Sequence, residues 1–191
     1  MNGAVILAAG SGTRFKKKKQ FETINGKEMW RHVYDKALHV VNREKIVVVG
    51  VDIPGGSTRS RSVYIGLESL CDCDRVIILE AARPLVTEEQ IEKLLNDESA
   101  SVTFALPLVN TVIGRDGTYY NRDSLFDLLT PQAFHFNMLK QAYKTGKYMD
   151  TTDETIVMYQ EYGIKPHFII EGENLIKVTY ERDIEIIKNL L

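Results

Sequence analysis

Four short apolar runs rich in β-branched residues recur between residues 4 and 108 and constrain the fold more than any other feature. They are AVILAA at residues 4–9, KIVVVGV at 45–51, RVIILE at 75–80 and SVTFALPL at 101–108. They are predominantly apolar, which suits strands covered on both faces. Helical periodicity fills the gaps between them. MWRHVYDKALHV carries Met29, Trp30, Val33, Ala37 and Val40 at helical spacing, and Thr87 followed by Gln90 forms a capping box ahead of EEQIEKLLN. Strand and helix in alternation predict an α/β fold with three layers, a mainly parallel twisted sheet carrying helices on both faces.

Beyond Leu108 the order changes. NTVIGRDGTYYNR reads as a short β-hairpin arm, about residues 110–122, turning at Asp116-Gly117. MLKQAYKTG and TDETIVMYQEYG read as helices ending at Gly146 and Gly163. KPHFIIEG and LIKVT are strand-like, and ERDIEIIKNLL is an amphipathic helix with Ile184, Ile187 and Leu191 on one face. No repeat, low-complexity tract or linker interrupts the 191 residues, of which 44% are hydrophobic, so a single domain over 1–191 is expected.

Charge and composition exclude several function classes. A net charge of −2 gives no global attraction to nucleic acid or to an anionic membrane, and neither is expected as a partner. Cys71 and Cys73 lack C-x-x-C spacing and further partners for a zinc site, so they read as reduced thiols. His32, His39, His135 and His167 are scattered without metal-ligand spacing. No signal-peptide pattern opens the chain and no apolar run reaches membrane-spanning length, so a cytoplasmic location is expected.

The first apolar run feeds a glycine-rich turn and then a burst of positive charge, AVILAAGSGTRFKKKKQF. Successive backbone N–H groups in such a turn form a concave anion site, and Arg14 with Lys19 can neutralise a polyphosphate held there. Lys16, Lys17 and Lys18 read as a solvated face. A dinucleotide fingerprint is incomplete, because Phe15 stands where the third glycine belongs, and the acidic ribose-binding residue about twenty positions on is not evident. The G-x-x-x-x-G-K-[ST] phosphate loop is absent as well. A phosphate-rich ligand other than a dinucleotide is left.

Several separated motifs together resemble the cytidylyltransferases that make 4-diphosphocytidyl-2-C-methyl-D-erythritol, with their relatives that use ribitol 5-phosphate. LAAGSGTRF resembles the family's nucleotide loop, KQF its lysine-glutamine-aromatic motif, and GGSTRSRSVYIGL its glycine pair and R-x-x-S-V segment. EAARP is similar to D-A-A-R-P, TPQAF matches outright, and TTDET and IKVT are similar to two C-terminal signatures. The resemblance covers most of the chain and implies a nucleotidyltransferase, Rossmann-like fold that transfers CMP from CTP to a polyol phosphate with release of pyrophosphate. The best single acceptor is 2-C-methyl-D-erythritol 4-phosphate, and ribitol 5-phosphate or another surface-polysaccharide precursor is the alternative.

The resemblance also implies residue roles. Arg14, Lys19, Arg122 and Lys177 are the catalytic cations. Ala8, Ala9, Gly10, Gly12 and Thr13 supply donors to base and phosphates, while Gly56 and Ser62 complete a cytosine pocket. Glu80, Arg83, Thr111 and Thr130 line the acceptor side, Glu80 also being the expected ligand of Mg²⁺. A homodimer is implied, the arm reaching the neighbouring site.

Three departures accompany the matches. Glu80 replaces the family's usual aspartate, the helix and strand expected between VVVG and PGG are missing, and the arm is short. They motivate a second reading, a non-catalytic CTP-binding module, which the retained Arg14, Lys19 and Lys177 oppose. A nicotinamide-dependent oxidoreductase is disfavoured by the missing third glycine.

Overall fold

The computed structural model describes residues 1–12, 15 and 17–191. Its elements run in the order β1 (Asn2–Leu7), β2 (Thr23–Ile24), β3 (Lys27–Glu28), α1 (Met29–Val40), β4 (Ile46–Val49), α2 (Arg59–Ser69), β5 (Arg75–Glu80), α3 (Glu88–Leu95) and β6 (Ser101–Pro107). There follow β7 (Val112–Ile113), β8 (Tyr119–Tyr120), β9 (Phe126–His135), α4 (Phe136–Lys144), α5 (Glu154–Tyr162), β10 (His167–Ile170) and α6 (Asp183–Leu190). Among the described residues the main sheet has six strands in the order β10-β6-β9-β5-β1-β4. The expected apolar runs form β1, β4, β5 and β6, with β1 parallel to both β4 and β5, and β6 parallel to β10.

Side-chain alternation along these strands divides the core into two layers. Ala4, Ile6, Val48, Ile77 and Leu79 face one way and pack with Trp30, Val33 and Ala37 of α1 and Ile91 and Leu94 of α3. Val5, Val47, Val49, Val76 and Ile78 face the other way, toward Val63 and Leu67 of α2, Leu139 and Tyr143 of α4, and Val157 and Met158 of α5. Both faces are thus covered, and each fully buried aliphatic side chain contributes about 1.5–3 kcal/mol. The caps follow the sequence as well: Thr87 and Gln90 form the capping box, and Gly163 ends α5 in the left-handed region at φ 70°.

One strand forms where no element was expected, and one expected strand does not form. TPQAF lies inside β9, which runs antiparallel to β5 on one side and β6 on the other. Pro131 has no N–H for a ladder, and the strand accommodates it in an irregularity: the pairing jumps from Thr103–Gln132 to Phe104–Leu129, leaving Thr130 and the cis Pro131 outside the register. LIKVT is not a strand. Leu175 and Val178 are buried by other means, Val178 packing with Phe15, Ile24, Met29, Leu85 and Ile187 in a third, smaller core. Of the apolar face expected on α6, Ile187 is buried, Ile184 packs against this small core, and Leu191 is 41% exposed. Among the described residues no helix is long and apolar enough to cross a membrane.

Candidate active site

In an open α/β sheet, ligands bind where the strand order reverses, outside the carboxyl ends of the strands. Here the chain leaves β1 toward β4 on one side and returns to β5 on the other, so the reversal lies between β1 and β5. A cavity of about 400 Å³ opens there. Its walls are the loop after β1 (Ala8 to Gly12), the first turn of α2 with Gly56 to Arg59 and Ser62, the end of β5 (Glu80 to Ala82), and the closing segment with Lys177 and Thr179. Phe15, Lys19 and Gln20 complete it.

The glycine-rich loop is shaped by close packing. Gly12 has φ +66°, and a Cβ there would fall 1.8 Å from the Lys17 carbonyl oxygen. Gln20, 5% exposed, supports the loop by donating its side-chain N–H to the Gly10 carbonyl at 3.2 Å. Across the cavity a Cβ on Gly55 would lie 2.2 Å from that of Ala9, so the glycine pair permits the α2 entry to approach the loop. The Gly56 N–H donates to Ser62 Oγ at 3.0 Å, and that hydroxyl donates to the Thr58 carbonyl, also at 3.0 Å. Ser62 therefore organises this wall.

Charge enters from three directions. Lys19 Nζ donates to the Val178 carbonyl, and Lys177 Nζ pairs with Glu80 Oε2. Arg59 Nε donates to Glu80 Oε1 at 3.1 Å. Burial alone would push the Glu80 carboxyl up, but Lys177 and Arg59 outweigh it and hold the group at about 2. For Arg59 burial lowers the pKa, and Glu154 and Glu80 more than reverse that, so it stays charged.

Of the residues singled out from sequence, Ala8, Ala9, Gly10, Gly12, Lys19, Gly56, Ser62, Glu80 and Lys177 meet around this one cavity. Arg14 and Thr13 lie outside the described residues, as does Lys16. Arg83 and Thr130 stand together beside the cavity rather than on its walls, with Arg83 Nε donating to Thr130 Oγ1 at 2.8 Å and Nη1 to the Leu175 carbonyl. Thr111 and Arg122 lie on the exposed arm, where Arg122 donates to the Val109 carbonyl and neither residue touches the cavity.

Arg59 was missed by sequence reasoning. A signal existed, since Arg59 and Ser62 are three apart on one helix and so share a face, and a pocket-facing Ser62 implies a pocket-facing Arg59.

Glu80 is the single carboxylate on the cavity wall, and no group of three or more His, Cys, Asp or Glu that could hold a metal occurs among the described residues. That donor set fits magnesium held by one carboxylate and by the ligand's own phosphates, not a metal caged by protein alone.

A glycine-rich loop and two lysines around a cleft at the reversal of an α/β sheet define a nucleotide-binding protein of the nucleotidyltransferase type. The profile of the family described as 2-C-methyl-D-erythritol 4-phosphate cytidylyltransferase matches residues 51–191. The enzyme of that name from Thermotoga neapolitana is 32% identical over 215 residues, covering 97% of this chain and 95% of its own. The one from Clostridium botulinum strain 657 is 30% identical, covering 100% of this chain and 97% of its own. Among solved structures, that of the Francisella tularensis enzyme superposes with a TM-score of 0.79 at 26% identity, over 100% of both chains. The chain belongs to the 2-C-methyl-D-erythritol 4-phosphate cytidylyltransferase family. The 215 aligned residues exceed the 191 of this chain, so the Thermotoga relative carries segments that are missing here.

Proposed function

We propose that this protein transfers the cytidylyl group of CTP to 2-C-methyl-D-erythritol 4-phosphate. An oxygen of the acceptor's phosphate attacks the α-phosphorus in line, the bond to the pyrophosphate oxygen breaks, and pyrophosphate leaves. No covalent enzyme intermediate forms, so the protein's work is to position the two substrates and neutralise charge. The observation that carries the reading is the meeting of the glycine loop, the Gly55-Gly56 wall, Lys19 and the Glu80–Lys177 pair around one cavity, in a chain of this family.

In this reading the backbone from Ala8 to Gly12, with that of Thr13, donates to base and phosphates. The segment from Gly56 to Ser62 faces the cytosine edge, which offers an amine beside acceptors. Lys19, Lys177 and Arg14 stabilise the charge that builds on the phosphoryl oxygens. Arg83 and Thr130 flank the acceptor. Magnesium, held by Glu80 and the phosphates, supplies further neutralisation when bound. Thr111 and Arg122 serve a partner's site in a homodimer, which their position on an exposed arm away from the cavity supports. The proposed reaction is one of the cytoplasm.

The test is pyrophosphate release from CTP with magnesium and a panel of polyol phosphates that includes ribitol 5-phosphate. Turnover is expected with 2-C-methyl-D-erythritol 4-phosphate above the others. Preference for ribitol 5-phosphate would reassign the acceptor, and no release with any would refute the reading.

A further inference from the structure

Arg59 stands between two buried carboxylates. Its Nε donates to Glu80 Oε1 at 3.1 Å and its Nη1 to Glu154 Oε1 at 2.7 Å. Glu154, with no exposure, also accepts from the Tyr143 hydroxyl at 2.9 Å. The far oxygen of Glu80 meets Lys177. A row of alternating charge thus runs from the interior to the cavity: Glu154, Arg59, Glu80, Lys177.

The first turn of α2 is fixed on both sides of Arg59. Thr58 Oγ1 donates to the Met149 carbonyl and Ser60 Oγ to the Thr151 carbonyl, which docks the turn on the segment leading into Glu154.

The row solves a specific difficulty. Were Lys177 the sole partner of Glu80, moving its ammonium onto a phosphate would strand a buried carboxylate, at a cost that opposes the move. With Arg59 in place, Glu80 keeps a hydrogen-bonded ion pair on Oε1 while Oε2 is released. A planar guanidinium can hold two carboxylates at once, whereas a lysine ammonium is a single point charge on a flexible stem. We propose that Arg59 is a positioning residue which, anchored on Glu154, holds Glu80 fixed so that Lys177 can leave it for a phosphate during transfer. The proposal rests on the cytidylyl-transfer reading above.

The test compares Arg59→Met, Arg59→Lys and the double variant Arg59→Met with Glu154→Gln, measuring melting temperature without ligands, CTP affinity by calorimetry, and kcat and KM. Arg59→Met is expected to melt earlier, because buried Glu154 loses its cationic partner and keeps only the Tyr143 hydroxyl. The double variant removes that stranded charge, so its melting temperature returns toward wild type. Its kcat stays down about a hundredfold, the size of loss that misplacing a reacting group produces. CTP affinity changes far less, and Arg59→Lys stays low in kcat.

Wild-type kcat in the double variant would overturn the proposal, reducing Arg59 to a structural role. A rise in KM with kcat unchanged would overturn it too, making Arg59 a substrate-binding contact. An active wild type with a fully active double variant sinks this proposal alone. A wild type inactive with every polyol phosphate sinks the functional reading and this proposal with it.

Discussion

The Lys19 ammonium donates to the carbonyl of Val178, the residue that follows Lys177, across 159 positions of sequence. Two cations from opposite ends of the chain are thereby carried on one support. Lys19 stands at the head of the short 3₁₀ turn Lys19–Phe21, and Val178 packs against Phe15 from the same loop region.

Their shared support makes both lysines sensitive to removal. Lys19→Ala and Lys177→Ala are each expected to lower kcat by about a hundredfold or more while weakening CTP binding far less, as befits charges that matter most in the transition state. Lys18→Ala, at an exposed position, should turn over normally. Steady-state kinetics with parallel calorimetry checks this, and a crippled Lys18→Ala beside a normal Lys19→Ala would reverse the assignment.

Nucleotide choice is testable without an acceptor. CTP with magnesium should raise the melting temperature more than ATP, GTP or UTP, because in the proposed reading the wall from Gly56 to Ser62 faces the cytosine edge. A ligand at a hundred times its Kd stabilises by about 2.7 kcal/mol, well within reach of a thermal scan. Equal shifts from all four nucleotides would remove the cytosine pocket.

Gly55→Ala tests the wall's geometry. The added methyl would sit 2.2 Å from the Ala9 Cβ, so either the glycine loop or the α2 entry must move. Loss of CTP binding is expected, with the sheet retained by circular dichroism. Unchanged affinity would show that the close approach of these two walls is dispensable.

The ion pairs of Glu80 also make stability depend on pH. Its carboxyl is held at about 2 against an ordinary 4.5, so the folded state favours the ionised form. The contribution is therefore complete above pH 4.5 and is lost as pH falls toward 2; at about 1.4 kcal/mol per decade it amounts to about 3 kcal/mol. Urea unfolding of Glu80→Gln in magnesium-free buffer should show a flatter loss over that window than wild type. Parallel curves for the two proteins would contradict the pairing.

Subunit exchange tests the arm. Arg122→Ala and Lys19→Ala would impair different halves of each composite site, so mixing the two inactive variants leaves one intact site in each mixed dimer. With about half the dimers mixed, activity should recover to about a quarter of wild type. Confirmed reassortment with no recovery would return Arg122 to its own subunit, and a monomer in solution would end the exchange.

Much of this architecture was legible because local pattern and tertiary role agree. Val76 to Leu79 is apolar at every position since both faces of β5 are covered, and Thr87 with Gln90 caps a helix by a purely local rule. β9 was hidden by Pro131, which argues against a central strand unless the register irregularity opposite Thr103 and Phe104 is known. LIKVT imitates a strand because Leu175 and Val178 are buried on packing partners far away in sequence, not on a neighbouring ladder. Arg59 could be placed on the face of Ser62 by helical spacing, but its carboxylate partners, 21 and 95 residues downstream, leave no mark in the local sequence. Glu80 could be read as a substitution, but not that its longer side chain spans Arg59 and Lys177.

The small core under the glycine loop sets an order of events at the ribosome. Phe15 is made well before its neighbours Val178 and Ile187, which follow every strand of the main sheet. A nascent chain can therefore assemble its sheet before it owns a finished phosphate cradle. In the proposed reading, nucleotide can stabilise the loop only after that core has closed beneath it.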